Sequence, residues 1–194
     1  MTRKHPRAPG LLHRTVALLI TWTVITAPCL HAQKSGPTEN EVKSAYLFNF
    51  GKFVEWPEKV TNGSEFFTLC VLGDDPFFST LETTIASESI NSKKITVKRV
   101  AKPQDAASCQ ILFISSSEQS RLKEILAVLD KTSVLTVSDM PQFTRRGGMI
   151  QFVVKENRVR FEVNLTNAER TGLTLSSQLL KVAISVKRSD QPGS

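Results

Sequence analysis

Three short runs of near-continuous apolar residues, at positions 66–72, 109–114 and 134–137, constrain this chain more than any other feature. A strand without polar and apolar alternation has no wet face, so it belongs in a parallel sheet covered by helices on both sides. The intervals between the runs carry helical spacing instead. Phe77, Phe78, Leu81 and Ile85 follow Gly73-Asp74-Asp75-Pro76, and Leu122, Ile125, Leu126 and Leu129 follow Ser115-Ser116-Ser117. A further strand is read at 95–100, where Thr96, Lys98 and Val100 alternate with Ile95, Val97 and Arg99. This rhythm of strand, helix and strand predicts an α/β three-layer sandwich with a mostly parallel central sheet.

The two ends of the domain read differently. Segments 149–154 and 159–163 flank Lys155-Glu156-Asn157-Arg158, a tight hairpin signal, and Val159, Phe161 and Val163 alternate with Arg158, Arg160 and Glu162. That alternation adds an antiparallel C-terminal hairpin strand with one wet face. At the other end, Thr38-Glu39-Asn40-Glu41 matches a capping box, predicting a helix from there to about Glu55, stopped by Pro57. Val42, Ala45, Tyr46, Phe50, Phe53 and Val54 share one face of that helix. Phe48 falls nearly opposite, either under a second element or against a partner. Residues 173–186 read as a closing helix with Leu175, Leu179, Val182, Ala183 and Val186 inward, followed by a flexible tail at 188–194. One domain, 38–187, accounts for all of this.

The first 32 residues hold Arg3, Lys4, Arg7 and Arg14, no acid, a short apolar core and a small residue at Ala32. This is the pattern of a cleaved secretory signal peptide, with a polar leader at 33–37 after it. The apolar core is shorter than the roughly 20 residues a membrane span needs, and Pro28 before Cys29 does not suit a lipid-attachment site. Of 25 Lys and Arg residues, 21 remain after residue 32 against 18 acidic ones. The basic balance therefore gives no case for nucleic-acid binding. His5, His13 and His31 all go with the leader, and with them the Ser-His-Asp, Cys-His and His-ligated metal chemistries. Cys70 and Cys109 are left as a pair. In an oxidising compartment they read most simply as a disulfide, with two buried thiols as the alternative.

Several positions invite a functional reading. Asp74 and Asp75 follow a strand as a Mg²⁺-binding pair would, but a receiver-type site needs another acid where Ser115-Ser116-Ser117 stands. Asp75-Pro76 reads instead as a helix start, and the serines as caps rather than an anion cradle. Arg145, Arg146, Lys155, Arg158 and Arg160 place five basic residues in 16 positions: a solvated face, a docking edge or an anion pocket. Gly147-Gly148 suggests a backbone closed to side chains. Trp56 is a lid over the end of the first helix or a recognition aromatic. No catalytic residue, metal or cofactor is called for; a hydrolase built on Asp74, Asp75 and a metal is the weakest reading.

The segment Ala45-Tyr46-Leu47-Phe48-Asn49-Phe50-Gly51-Lys52-Phe53-Val54-Glu55-Trp56-Pro57 resembles the N-terminal signature of the YfiR/HmsC-like family of bacterial exported proteins. Leu69-Cys70-Val71-Leu72-Gly73-Asp74-Asp75-Pro76-Phe77, Gly147-Gly148-Met149-Ile150 and Val159-Arg160-Phe161-Glu162-Val163-Asn164-Leu165 are similar to it as well. So is Gly172-Leu173-Thr174-Leu175-Ser176-Ser177-Gln178-Leu179-Leu180. The resemblance implies a non-enzymatic periplasmic regulator that represses a membrane-bound diguanylate cyclase through its periplasmic portion. It further implies an outer-membrane lipoprotein that sequesters the repressor, a homodimer, and control of cyclic di-GMP and biofilm. Cys70 and Cys109 match the family's disulfide pair. A second pair that some members carry around the Gly147-Gly148 turn is absent here, where Thr144 and Gln151 stand. Other members are fused to or encoded beside sensor kinases, so a periplasmic small-ligand sensor acting on a sensor kinase is the alternative. Its pocket is expected near the strand C-termini. Phe48, Trp56, Arg145, Arg146, Arg158 and Arg160 are the candidate partner or ligand contacts.

Overall fold

The run at 66–72 forms the strand around which the rest is arranged. The structure is a computed structural model describing Thr2, residues 36–61 and residues 63–188. The expected signal peptide apart from Thr2, most of the expected polar leader, Asn62 and residues after 188 lie outside the described residues.

In chain order, α1 (Glu39–Phe53) leads into β1 (Val54–Glu55), α2 (Glu58–Thr61), β2 (Phe66–Leu72) and α3 (Phe77–Ile85). Then come β3 (Ser89–Ile90), β4 (Lys93–Val100), β5 (Ile111–Ile114), α4 (Leu122–Leu129) and β6 (Leu135–Ser138). The chain ends with β7 (Ile150–Lys155), β8 (Arg158–Asn164), α5 (Leu165–Arg170), β9 (Thr174–Leu175), α6 (Ser177–Val182) and β10 (Ser185–Lys187). Eight strands form one sheet in the order β10-β8-β7-β6-β5-β2-β4-β3. The five strands from β4 to β7 run parallel, β8 pairs antiparallel with β7, and β10 runs parallel to β8.

The apolar runs keep a period of two; what they lack is water on either side. Leu69 and Val71 of β2, with Ile111 and Phe113 of β5, enter a larger core closed by Leu47 and Phe50 of α1 and by Phe77, Leu81 and Ile85 of α3. Cys70, Leu72, Leu112 and Ile114 enter a second core with Leu122, Ile125 and Leu129 of α4 and with Phe143. Each such side chain contributes about 1.5–3 kcal/mol by leaving water, so a sheet covered on one face only would be far weaker. The expected mixed α/β sandwich is the fold observed.

Cys70 and Cys109 are joined by a disulfide, their Cα atoms 6.0 Å apart. In register, Cys70 lies opposite Leu112, so the bridge spans an offset along the strands. It closes because Cys109 has not yet entered β5. Cys109 ends a 3-10 turn at Pro103–Ser108, whose Ala106 sits in the same core as Cys70. The strand expected from residue 109 accordingly begins at Ile111.

Two helix readings are corrected. The buried face of α1 is Lys43, Ser44, Leu47, Phe50 and Gly51, one position round from the expected one, and Ala45 is exposed. Lys43 is drawn inward by carboxylates, its ammonium 2.7 Å from both Asp139 and Glu39. Ser44 satisfies its hydroxyl on the Asn40 carbonyl. The helix also ends at Phe53, because Val54 and Glu55 pair with Leu175 and Thr174.

The C-terminal helix expected over 173–186 is three elements instead. Ser176 caps a six-residue helix by accepting from the Leu179 amide, and the chain turns extended at Ala183. Ile184 and Val186, β-branched and alternating with Ser185, suit a strand better than a helix. Val182 and Val186 are exposed rather than inward.

Replacing both Cys70 and Cys109 with Ala is expected to lower the unfolding free energy by about 2–4 kcal/mol, read from urea denaturation under non-reducing conditions. An unchanged midpoint would contradict the bridge's role as a staple.

Candidate functional site

In open α/β sheets, ligands sit beyond the strand C-termini where the chain order reverses. Here that point lies between β2, which continues to β4 on one side, and β5 on the other. It is filled by the chain itself. Gly73 adopts a φ of +93°, and a Cβ there would lie 2.5 Å from the Ser117 hydroxyl. The Asp74 amide donates to Ser117 Oγ at 3.1 Å, and Ser115 Oγ donates to the Asp74 carbonyl at 3.0 Å. Arg99 caps the arrangement, donating to the Gly73 carbonyl at 3.2 Å with its guanidinium 4.7 Å from the Phe78 ring. The serines are engaged in turns and inter-loop bonds. Asp75 accepts from the Phe77 amide at 2.9 Å, starting α3 as expected, while Asp74 lies exposed, 3.5 Å from Arg99.

Beside this crevice, past the C-termini of β5 and β6, a shallow space of about 860 Å³ is lined by Ser117, Gln119, Ser120, Pro141, Gln142 and Arg146. Two further cavities lie on the other flank. A cavity of about 480 Å³ opens between the first turn of α1 and the β7–β8 hairpin. Glu39 and Val42 form one wall; Val154, Arg158, Val159 and Arg160 form the other. An adjoining cavity of about 330 Å³ shares Glu39, Val154 and Val159 and reaches Lys43, Asp139 and Phe152. The hairpin turns through Glu156 and Asn157, both at positive φ, which sets Arg158 at the rim. Arg158 is exposed and Arg160 half-buried, and among the described residues neither forms an ion pair. Along β8 both alternate with Val159, which turns toward α1, so their guanidiniums lie on the opposite face of the hairpin as open donors suited to carboxylates.

The basic stretch does not form one patch. Ile150 pairs with Val163 and Lys155 with Arg158. Arg145 and Arg146 thus lie beyond the far end of the hairpin from Arg158, about 17 Å or more along the strands. Arg145 is exposed, and Arg146 donates to the Gln119 carbonyl at 3.0 Å. Between them and the hairpin, a Cβ on Gly148 would overlap the Phe143 ring, so the close packing expected at Gly147-Gly148 is present. The Thr144 amide donates to Gln151 Oε1 at 3.3 Å in this neighbourhood.

Phe48 and Trp56 are both half-buried against the larger core. Lys52 sits 5.1 Å from the Phe48 ring centroid. Trp56 packs edge-on to Phe67 and donates its indole N–H to the Gln110 carbonyl at 3.1 Å. Gln110 was invisible to pattern reading. Buried, it accepts from the Thr68 amide at 2.7 Å and donates to the Val60 carbonyl at 3.4 Å, pinning the start of β5 to β2 and α2. Lys43 was missed for the same reason: a polar residue at helical spacing reads as solvated. Burial of its ammonium works against the charge. Hydrogen bonds to Asp139 and Glu39, and their attraction, outweigh that and hold its pKa above 10.5.

With this geometry in hand, the comparisons are specific. The family model described as YfiR/HmsC-like matches residues 40–184. The chain belongs to the YfiR/HmsC-like family. Its fold is similar to a crystal structure of a conserved domain protein from Vibrio cholerae O1 biovar El Tor strain N16961, at a TM-score of 0.55 and 12% identity. That match covers 77% of this chain and 60% of the Vibrio chain, so this chain corresponds to about three-fifths of its length. A Streptococcus pneumonia ABC domain in complex with L-Trp aligns at a TM-score of 0.47 and 12% identity, over 62% of this chain and 55% of that one. The YfiR/HmsC-like segment Val159 to Leu165 now has a physical reason: Asn164 ends β8, accepts from the Asn167 amide to start α5, and donates to the Thr144 carbonyl at 2.9 Å. Among the described residues no helix is long and apolar enough to cross a membrane.

Lys43→Ala is expected to cost about 2 kcal/mol at neutral pH, below the range for fully buried pairs because Asp139 keeps partial access to water. The raised pKa means the wild-type contribution is fully present below pH 10.5 and is lost only as pH rises through the folded-state value. Denaturant midpoints of both proteins from pH 7 to 11 check both statements.

Proposed function

We propose that this chain is a periplasmic regulatory protein that binds the periplasmic portion of a membrane-bound diguanylate cyclase and holds it inactive, lowering cyclic di-GMP and biofilm formation. Family membership over residues 40–184 carries the reading. The crevice between the C-termini of β2 and β5 supports it, because that switch point is occupied by Ser115, Ser117 and Asp74. In this reading the protein works by surface contact. The hairpin beside the α1 groove offers Arg158 and Arg160 to acidic groups of the partner. Phe48, Trp56, Arg145 and Arg146 rank behind them as contacts. An outer-membrane lipoprotein would compete for the repressor and release the cyclase. The working form is exported, without residues 1–32, and is a homodimer.

The second reading, a small-ligand sensor coupled to a sensor kinase, draws on the cavity beside Lys43 and Phe152 rather than on the strand ends. A thermal-shift screen of nucleotides and amino acids that leaves the melting temperature flat would end it.

The repressor reading predicts that the purified mature protein binds the periplasmic portion of a diguanylate cyclase from the same genome. The double variant Arg158→Glu/Arg160→Glu should weaken that binding at least tenfold, about 1.4 kcal/mol, mainly through faster dissociation. Unchanged affinity in calorimetry would remove the groove as the contact surface.

A further inference from the structure

A cavity of about 370 Å³ opens between α4 and α5, within the size range of small-molecule sites. Leu126 and Ala127 of α4 stand on one side and Asn167 of α5 on the other, with Thr136 and Met149 beneath. Thr136 lies opposite Leu112 in the sheet and so shares the face of the second core.

The two helices are tied together at both ends of this space. At one end Gly147 adopts a φ of +108°, and a Cβ there would stand 3.5 Å from Leu126 and 3.9 Å from Asn167. Asn167 Nδ2 donates to the Gly147 carbonyl at 2.7 Å. At the other end Arg170 pairs with Asp130, and the Ser133 hydroxyl donates to the Thr171 carbonyl at 2.8 Å. The cleft is therefore held open by its own frame.

Its polar groups are not all used. Thr136 is only 2% exposed, and its hydroxyl accepts from the Met149 amide at 3.2 Å. Among the described residues the hydroxyl proton itself has no acceptor, and Asn167 Oδ1 has no donor. A ligand hydroxyl answers both, since it accepts one hydrogen bond while donating another. Lys123, on the rim, forms no ion pair among the described residues. Asp130, the one acid on the lining, is committed to Arg170, so the ammonium of an amino acid would find no free counter-charge. From these observations we infer that the cleft binds a compact hydroxylated organic acid. Its carboxylate pairs with Lys123, its apolar body lies against Leu126, Ala127 and Met149, and its hydroxyl joins Thr136 to Asn167.

Calorimetry of the purified protein with 4-hydroxybenzoate and 3-hydroxybenzoate, which differ in the spacing of the two polar groups, tests this. At least one should bind, and benzoate and phenol, each lacking one group, should bind about fivefold more weakly or worse. Lys123→Ala should weaken the hydroxybenzoate about tenfold, to the level of phenol. Thr136→Val should reduce it to the level of benzoate, and Thr136→Ser, which keeps the hydroxyl, should restore it. Ala127→Trp, at an exposed helix position, should fill the cleft and abolish binding with an unchanged circular dichroism spectrum. Failure of both hydroxybenzoates to bind, equal binding of benzoate and phenol, or binding indifferent to Ala127→Trp would overturn the inference. The inference rests on the cleft and not on the regulatory reading: a protein that bound a hydroxybenzoate but no cyclase would overturn that reading alone.

Discussion

The structure depends on β2 being dry on both faces. Its alternate residues feed two separate cores, so α1 and α3 on one side and α4 on the other are required at once, and neither layer can be lost without exposing the strand. The Cys70–Cys109 bridge acts on the same strand. It ties the middle of β2 to the turn that delivers the chain into β5, closing the connection that crosses the sheet from β4. Packing and cross-link therefore reinforce one junction. That junction is also where an open α/β sheet would otherwise have room for a ligand.

How the junction is closed shapes the functional account. Gly73 lets the loop after β2 pack directly on Ser115 and Ser117, whose hydroxyls bond the Asp74 backbone. The hairpin offers chemistry of another kind: Arg158 and Arg160 form no ion pair among the described residues.

Much of the fold was legible because its signals are local or periodic. The capping box at Thr38 and Glu41 is present as read, and so are the buried strands and the hairpin alternation of Val159, Phe161 and Val163. The misreadings share one cause, which is that a long-range partner outweighs a local pattern. Lys43 turns inward because Asp139, far along the chain, accepts its ammonium. Val54 leaves the helix because Leu175 offers a strand. The final segment has apolar residues at helical spacing, yet the exposed side of β8 draws Ser185 to Lys187 into the sheet. For the candidate site, the arginines were visible as a charge run. Their division between opposite ends of the hairpin depends on register, which no composition reveals.

Repression of a cyclase by contact, the function proposed above, is tested most directly by cellular cyclic di-GMP in the native host with the gene intact and deleted. Repression predicts a rise on deletion that supplying the intact gene reverses. A level that does not change on deletion, or that falls, would contradict it.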